Sequence, residues 1–271
     1  MSLAGKTVAI TRPQQDAEET ANLVSRLGGK PYIAPIVEVG FSLAAKRTLQ
    51  IRRSIMKKPP DHIVFVSKNG AKALFKIGKN KREKRRLIRI LNRIPITAVG
   101  PTTHAELAQR GVISACLPSK YSSKGVLNRL KKIRVKSKNV MLIRTKNPPD
   151  FLRTNLLRLG AKVNEVALYE SSRPKSDRQP LRLISAILNQ EIDVVTFTSA
   201  GGVNNLFSVA IDHSLEEKLR KGLNKSIVAA VGPVTSKALR KYGVKVSIVP
   251  RQYTATAMIQ ALTIPKDRNL R

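Results

Sequence analysis

The sequence predicts an α/β protein made of two Rossmann-like domains, each with a parallel sheet covered by helices. Apolar strand patterns alternate with helix patterns and short loops, and this alternation favours parallel sheets. Residues 62–130 and 193–262 also carry three motifs in the same order and at similar spacing. Because a spacing preserved through three motifs is unlikely to arise by chance, we interpret the two stretches as an internal duplication.

Each copy is defined by three strand-to-helix junctions. The first strand ends in a serine-glycine turn, in IVFVSKNGAKAL and in DVVTFTSAGGVNNLF. The second strand ends in Ala-Val-Gly-Pro, in ITAVGPTTHAELAQRGV and in SIVAAVGPVTSKALRKYGV. The third junction starts a helix after a tyrosine and hydroxyl residues, in PSKYSSKGVL and in VPRQYTATAMIQAL. In each copy, proline after the second strand is suited to the first helical turn.

A strand, a helix that stops at glycine and an extended exit precede the first copy. The same order recurs before the second copy, which strengthens the case for duplication. The strands are predicted at 6–13 and 138–146, the helices at 17–29 and 149–161, and the extended exits at 30–41 and 162–174.

The periodicity leaves the connectivity open. In one arrangement the opening strand and helix pack with the C-terminal copy, and the two extended exits run side by side as a two-stranded connector. In the other arrangement two halves simply follow one another in tandem. Both fit the pattern of strands and helices equally well.

Length and composition limit the class of protein. A chain of 271 residues with 42% hydrophobic residues can form two domains with real cores. No apolar run approaches the roughly 20 residues that span a bilayer, and the N-terminus lacks a signal-peptide pattern. We therefore expect a soluble, cytoplasmic protein.

Metal and nucleotide sites are not expected. Cys116 is the only cysteine, which excludes an intramolecular disulfide and a cysteine zinc cage, and we expect it in the core. His62, His104 and His213 lack the spacing of metal ligands. The chain has neither a Walker loop nor an intact Gly-x-Gly-x-x-Gly fingerprint, so no cofactor is predicted.

The charge of this chain is extreme for a globular enzyme. Fifty-one Lys and Arg oppose 17 Asp and Glu, a net charge of +34, which creates a field that attracts polyanions. Basic residues cluster at 79–93 and 129–138. We favour a solvated helix face and a solvated loop over a nucleic-acid footprint, because these runs carry no aromatic residues to stack on bases.

The ordered motifs resemble the uroporphyrinogen-III synthase family. The matching segments cover nearly the whole chain, and the set is specific although each segment alone is weak. They are AITRP, FVSKNGA, AVGPTTHAELAQRGV, YSSKGVL, LIRTK, LGAKVNEVALYES, TFTSAGGVNNLF, AVGPVTSKALRKYGV and YTATAMIQAL. The net charge is a departure, because members of the family are not usually this basic.

The resemblance implies a discontinuous α/β domain made of both chain ends, a two-stranded connector and an active site in the cleft between the domains. It thereby favours one of the two connectivities. The expected domains are 1–37 with 171–264 and 42–163, joined by connectors near 30–41 and 162–174, and 265–271 is expected to be a frayed polar tail.

The resemblance also implies a reaction. The family closes hydroxymethylbilane, a linear tetrapyrrole with eight carboxylates, with loss of water and inversion of the last pyrrole ring. Tyr169 matches the family tyrosine that is the usual candidate for the acid, and a tyrosine remains protonated at neutral pH. The alternative for Tyr169 is a ring that only packs in the connector.

Carboxylate binding is predicted at helix starts and at two arginines, which can grip carboxylates with two parallel hydrogen bonds. Capping of helices and salt bridges elsewhere are the alternatives for these residues. The predicted substrate-binding residues are Arg12, Ser67, Asn69, Thr103, Ser122, Arg144, Ser199, Gly201, Thr235, Tyr253 and Thr254, with Lys68, Lys124 and Lys146 as secondary candidates.

Two functions remain at this stage. One is a monomeric, cofactor-free enzyme that acts on this small-molecule tetrapyrrole. The other is a basic nucleic-acid-binding protein on a duplicated α/β scaffold, tracking phosphates in a salt-sensitive way.

Overall fold

The computed structural model describes residues 3–41, 45–76, 80–146 and 150–263. The chain forms two compact units: Met1–Glu38 with Ser172–Arg271, and Val39–Ser171. We call them the discontinuous unit and the continuous unit. Both contain parallel sheets flanked by helices, which confirms the predicted fold class. The polar tail predicted at 265–271 lies outside the described residues.

Ten strands are found in the described residues. They are β1 (Thr7–Ile10), β2 (Lys30–Ile33), β3 (Glu38–Gly40), β4 (His62–Phe65), β5 (Ile96–Ala98), β6 (Ala115–Cys116), β7 (Asn139–Thr145), β8 (Lys162–Ser172), β9 (Val194–Phe197) and β10 (Ile227–Ala230).

Twelve helices are found in the same residues, and none of them is long and apolar enough to cross a membrane. They are α1 (Gln14–Arg26), α2 (Ala45–Lys57), α3 (Lys68–Lys76), α4 (Lys81–Leu91), α5 (Pro101–Ala108), α6 (Ser123–Lys132), α7 (Phe151–Arg158), α8 (Arg178–Leu188), α9 (Ala200–Asp212), α10 (Glu216–Lys225), α11 (Pro233–Lys241) and α12 (Ala255–Ala261).

The sheet of the discontinuous unit has the order β10-β9-β1-β2, and all its pairs are parallel. Strand β1 is central, and alternation of its side chains supplies both faces of the sheet. Val8 and Ile10 pack with helix α1 on one face, whereas Ala9 packs with Val195 and Phe197 on the other. A run that is apolar on both faces is typical of a strand buried in a parallel sheet.

The sheet of the continuous unit has the order β3-β8-β7-β4-β5-β6. Strands β4 and β7 lie in the middle, and β4 is buried along its whole length. Phe65 and Ile143 pack on one face with helices α3 and α4, and Val64 and Leu142 pack on the other. Each face is therefore closed by helices that bury apolar residues, as expected for this layer architecture.

The first extended exit divides between the two sheets. Strand β2 is an edge strand of the first sheet and β3 an edge strand of the second, where it neighbours β8. Between them the carbonyl of Ile36 accepts a 2.9 Å hydrogen bond from the side chain of Asn205 in α9. At the end of β8 the chain re-enters the discontinuous unit, where the guanidinium of Arg173 binds the carboxylates of Asp177 and Asp212.

A histidine at the start of β4 is buried without charge. His62 is 3% exposed, and its Nε2 lies 2.9 Å from the hydroxyl of Thr97. Burial, and secondarily the positive charge of Arg129, lowers the pKa of His62 from 6.5 to about 4. The folded protein therefore disfavours a proton that the unfolded chain accepts below pH 6.5.

Acidification should therefore destabilise the protein through His62. The stability that the uncharged His62 allows is fully present above pH 6.5. It is lost as the pH falls towards 4, which lowers the free energy of unfolding by about 3 kcal/mol in total. His62→Gln should flatten the pH dependence of the free energy of unfolding in this window, measured by denaturant titration at several pH values. Equal slopes for the variant and the wild type would contradict this account.

Candidate functional site

The polar junctions of the continuous unit meet at one edge of its sheet. Phe65 of β4 pairs with Ala98 of β5 and with Ile143 of β7, so these strands end at nearly the same level. The serine-glycine turn follows β4 and the Gly-Pro turn follows β5, both at the level where β7 ends. In open α/β sheets this carboxyl edge is where ligands bind.

Ser67 and Tyr169 form a hydrogen-bonded pair at this edge. Tyr169 lies on β8 beside Thr145, the last residue of β7, and its side chain is hydrogen-bonded to that of Ser67. The Ser67 hydroxyl oxygen also accepts a 3.1 Å bond from the backbone N–H of Asn69, in the first turn of α3. Because that oxygen serves as an acceptor to α3, its proton is available for donation to the Tyr169 oxygen.

The surroundings of Tyr169 keep it protonated. The residue is only 5% exposed, and burial raises the pKa of its phenol above 10. The hydrogen bond from Ser67 and the positive charge of Arg144 oppose this effect by favouring the phenolate. Tyr169 therefore carries its proton at neutral pH, and Ser67 and Arg144 limit the rise of its pKa without reversing it.

Asn69 is buried beside this pair. It is 9% exposed, and its side-chain Oδ1 has no hydrogen-bond partner among the described residues. An unsatisfied buried acceptor carries a free-energy cost, which a ligand that donates a hydrogen bond can remove.

Arg144 is engaged in an ion pair. It is 4% exposed, and its Nη1 donates a 2.6 Å bond to Oε1 of Glu165 on β8. Arg153 from α7 lies 3.5 Å from the other oxygen of the same carboxylate. The structure therefore places the buried Arg144 in an ion pair with a partly exposed carboxylate near Tyr169, the salt-bridge alternative that the sequence left open.

Arg12 occupies the equivalent position of the discontinuous unit, but its partner differs. Thr7 and Asn139 are equivalent, because each begins its strand and pairs with the first residue of the neighbouring strand, Lys30 or Lys162. Arg12 and Arg144 each lie five residues further along the chain. Ile33 stands where the other copy has Glu165, and Arg12 donates instead to the Thr20 hydroxyl at 2.7 Å. Its guanidinium has no carboxylate partner among the described residues, which leaves donors for an anion.

Three of the predicted hydroxyl residues are helix N-caps. The side-chain oxygens of Ser122, Ser199 and Thr254 accept backbone N–H bonds of 3.0 to 3.2 Å from the third residue that follows. Such caps leave other first-turn N–H groups available to an anion. Ser199 and the following Gly201 are exposed, and a side chain on Gly201 would meet no crowding.

The two Gly-Pro turns have the same construction. Pro101 and Pro233 are the first residues of α5 and α11, as predicted. The side chains of Tyr121 and Tyr253 pack against Gly100 and Gly232, the glycines that precede these prolines. A Cβ built on Gly232 would lie 3.2 Å from the ring of Tyr253. A larger residue than glycine would displace the tyrosine at that turn.

The threonines of these turns are buried rather than open to solvent. Thr103 is 1% exposed and Thr235 is 3% exposed, each in the first turn of its helix. The secondary candidates lie nearer the surface: Lys124 is exposed, and Lys146 lies 3.7 Å from Glu170.

Two cavities lined by described residues lie at the opposite edges of the sheets. One of about 290 Å³ lies beside Asn139 and Lys162 where β7 and β8 begin, and one of about 240 Å³ beside Lys6 and Asp193 where β1 and β9 begin. Neither contains a predicted site residue. No cluster of three metal-binding side chains occurs within the described ranges. Cys116, which was expected in the core, is exposed, because it lies on the edge strand β6 and the alternation of that strand turns Ala115 inward and Cys116 outward.

Comparison with known proteins identifies the family. The family described as "Uroporphyrinogen-III synthase HemD" matches residues 18–260. The chain belongs to the uroporphyrinogen-III synthase family. The resemblance predicted from the sequence motifs is thus confirmed.

Members of this family align with the chain over nearly its whole length. A protein of Methanothermobacter thermautotrophicus, provisionally named uroporphyrinogen-III synthase, is 29% identical over 95% of this chain and 97% of its own. The uroporphyrinogen-III synthase of Chlorobaculum parvum is 23% identical over 95% and 98%. A crystal structure of mutant uroporphyrinogen-III synthase from Thermus thermophilus has a TM-score of 0.66 at 23% identity, covering 95% and 97%.

Family membership decides between the two candidate functions. Uroporphyrinogen-III synthases are enzymes of tetrapyrrole synthesis, so the chain is assigned to that class. A nucleic-acid-binding protein on the same scaffold is not favoured as the primary function.

Sequence reasoning missed the partners of the predicted residues. Glu165 neutralises Arg144, and Thr20 holds Arg12. The alternation of KVNEVALYES gives the face of each residue, but pairing Glu165 with β7 requires a strand register that sequence patterns do not supply. No spacing rule pairs Arg12 with Thr20 either, because Arg12 precedes helix α1 and Thr20 lies within it.

The duplicated helix starts provide a test of this packing. A Cβ on Gly125, in the first turn of α6, would lie 1.8 Å from the carbonyl oxygen of Lys120, whereas the equivalent residue of α12 is Ala257. Gly125→Ala should therefore lower the free energy of unfolding by about 1 to 3 kcal/mol. Chemical denaturation measures the change.

Ala257→Gly is the matched control, because it removes a Cβ that the other copy accommodates. It should cost at most about 1 kcal/mol, the helix-propensity difference. The packing argument would be wrong if Gly125→Ala were as mild as this control.

Proposed function

We propose that this protein catalyses the dehydrative cyclisation of hydroxymethylbilane to uroporphyrinogen III, with inversion of the last pyrrole ring. The reaction is that of a carbon–oxygen lyase and calls for no cofactor, because electron-rich pyrroles drive it. Family membership supports the substrate, and the buried phenol of Tyr169 beside the half-buried Ser67 is the observation that carries the mechanism.

Carboxylate recognition is assigned to the carboxyl edges of both sheets. Arg12 offers a guanidinium without a carboxylate partner among the described residues, and the capped starts of α6, α9 and α12 offer backbone N–H groups. The positive ends of these helix dipoles favour anions. A substrate with eight carboxylates offers an acceptor to each such start.

Arg144 has a different role in this proposal. Its ion pair with Glu165 makes it a poor anchor for a substrate carboxylate, because that bond would have to break first. Its positive charge instead stabilises the phenolate form of Tyr169. Arg144 is therefore a positioning residue.

Tyr169 is assigned as the general acid. The carbon–oxygen bond of the hydroxymethyl group breaks as a pyrrole nitrogen donates its electron pair, and the Tyr169 proton converts the departing hydroxide into water. This loss of water leaves an azafulvene, which a substituted carbon of the last ring attacks. The attack gives a spiro intermediate, which then rearranges. The phenolate recovers its proton when the cyclised product loses one.

Removal of the phenol should expose this role. Tyr169→Phe should lower kcat by about two to four orders of magnitude, the usual contribution of a positioned acid. The product mixture should shift from the type III isomer towards the spontaneous type I isomer. The assay generates hydroxymethylbilane in place, oxidises the product and separates the two uroporphyrin isomers.

Tyr242→Phe is the control, since the ring of Tyr242 stacks on Phe207, with centroids 4.0 Å apart, and phenylalanine keeps that stacking. It should retain wild-type kcat and isomer ratio. Exclusively type I product from the wild type at every enzyme concentration would refute the proposed function. Full activity of Tyr169→Phe would refute only the acid assignment.

The hydrogen bond from Ser67 can be tested separately. Ser67→Ala removes the donor that favours the phenolate, so the pKa of Tyr169 should rise further above 10. Absorbance titration at alkaline pH, taken as the difference from Tyr169→Phe, reports this ionisation. Ser67→Thr, which keeps the hydroxyl, should restore the wild-type pKa, and an unchanged pKa in Ser67→Ala would contradict the assignment.

A further inference from the structure

Helix α4 presents a row of cations that the synthase reaction does not use. Its apolar side packs into the core through Leu87 and Leu91. The cations that are exposed along the rest of the helix and just beyond it are Lys81, Arg82, Lys84, Arg85, Arg86, Arg89 and Arg93. We call this surface the α4 basic face.

Among the described residues, these cations lack carboxylate partners. Glu83 is the one carboxylate of α4, and it lies 3.4 Å from the buried guanidinium of Arg52 on α2. Among the described residues, no cation of the α4 basic face forms an ion pair with a carboxylate. The charge of this face is therefore uncompensated within the continuous unit.

The spacing and position of these cations destabilise helix α4. Lys81, Arg85 and Arg89 follow one another at four-residue intervals, about 6 Å apart along the axis, and like charges at this spacing repel. Lys81, Arg82 and Lys84 lie in the first turns, where the helix dipole disfavours cations. Folding alone gives no reason for this pattern.

The duplication supplies an internal comparison. Helix α10 has the same place in the second copy, immediately before the strand that leads to the Gly-Pro turn. It begins with Glu216 and Glu217, and Glu217 binds Arg220 and Lys221. The scaffold therefore accepts ordinary, paired charges at this position.

We propose that the α4 basic face binds the phosphodiester backbone of nucleic acids, as an activity additional to the synthase reaction and independent of it. Five of its seven cations are arginines, whose planar forks suit phosphate oxygens. The face has no aromatic residue, so it binds phosphates without reading bases. It also lacks the exposed large apolar residues with which a helix enters a membrane surface.

Binding to a 20-base-pair DNA duplex and a 20-nucleotide RNA hairpin tests the proposal by fluorescence anisotropy across salt concentrations. We expect a dissociation constant of about 1 to 100 μM at 150 mM salt, with a linear dependence of log K on log salt. Comparison of the two probes shows whether DNA or RNA is preferred. Loss of both interactions at 150 mM salt would overturn the proposal.

The decisive variant is Arg85→Gln, Arg86→Gln, Arg89→Gln. It should weaken binding at least tenfold and reduce the salt slope by about 2 to 3, since each phosphate contact contributes about 0.9. The matched control removes three exposed arginines of the discontinuous unit, Arg178→Gln, Arg182→Gln and Arg240→Gln. It lowers the net charge equally and should change binding less than twofold.

Equal losses in the two variants would show that binding follows net charge rather than the α4 basic face, and would overturn the proposal. Tighter binding to phosphatidylserine vesicles than to either nucleic acid would also overturn it. Both variants should keep wild-type circular dichroism and synthase activity. A failure of the synthase assay in the wild type would leave the binding result standing, so the two proposals fail separately.

Discussion

The pairing of β1 with β9 is the interaction on which the discontinuous unit depends. These strands come from opposite parts of the sequence, and they lie side by side at the centre of a four-stranded sheet. Two buried threonines join them: Thr11 donates to the carbonyl of Thr196 at 2.6 Å, and Thr196 donates to the carbonyl of Ala9 at 2.7 Å. Buried hydroxyl groups that are satisfied in this way fix the register as well as the neighbour.

That register also arranges the chemistry. Because the parallel strands end at one level, the residues at their carboxyl ends lie close together. In each unit these residues are a serine turn, a Gly-Pro turn and an arginine. The two copies have since diverged at single positions. Glu165 stands in one copy where Ile33 stands in the other, and this difference decides whether the arginine is neutralised.

Local, repeating patterns in the sequence predicted the elements of the fold. They did not predict the contacts that depend on pairing between distant strands. The alternation of strands and helices predicted the α/β class, and the Gly-Pro motifs predicted helices that begin at Pro101 and Pro233. The contacts of the site were out of reach, because Glu165 is brought to Arg144 by strand register and Ser67 to Tyr169 by the order of strands in the sheet. The burial of Thr103 and Thr235 was missed for the same reason, since a capping motif does not reveal what packs over it.

The continuity of Val39–Ser171 has a consequence for how the chain is made. A ribosome releases residues in order, so this unit has all its strands and helices available while the remainder is still being synthesised. Strand β1 emerges first but has no partner at its β9 edge until Val194–Phe197 appears. The apolar residues among the first 38 therefore remain uncovered at the β9 edge of β1 during most of translation. The earliest segment to be made is among the last to be completed.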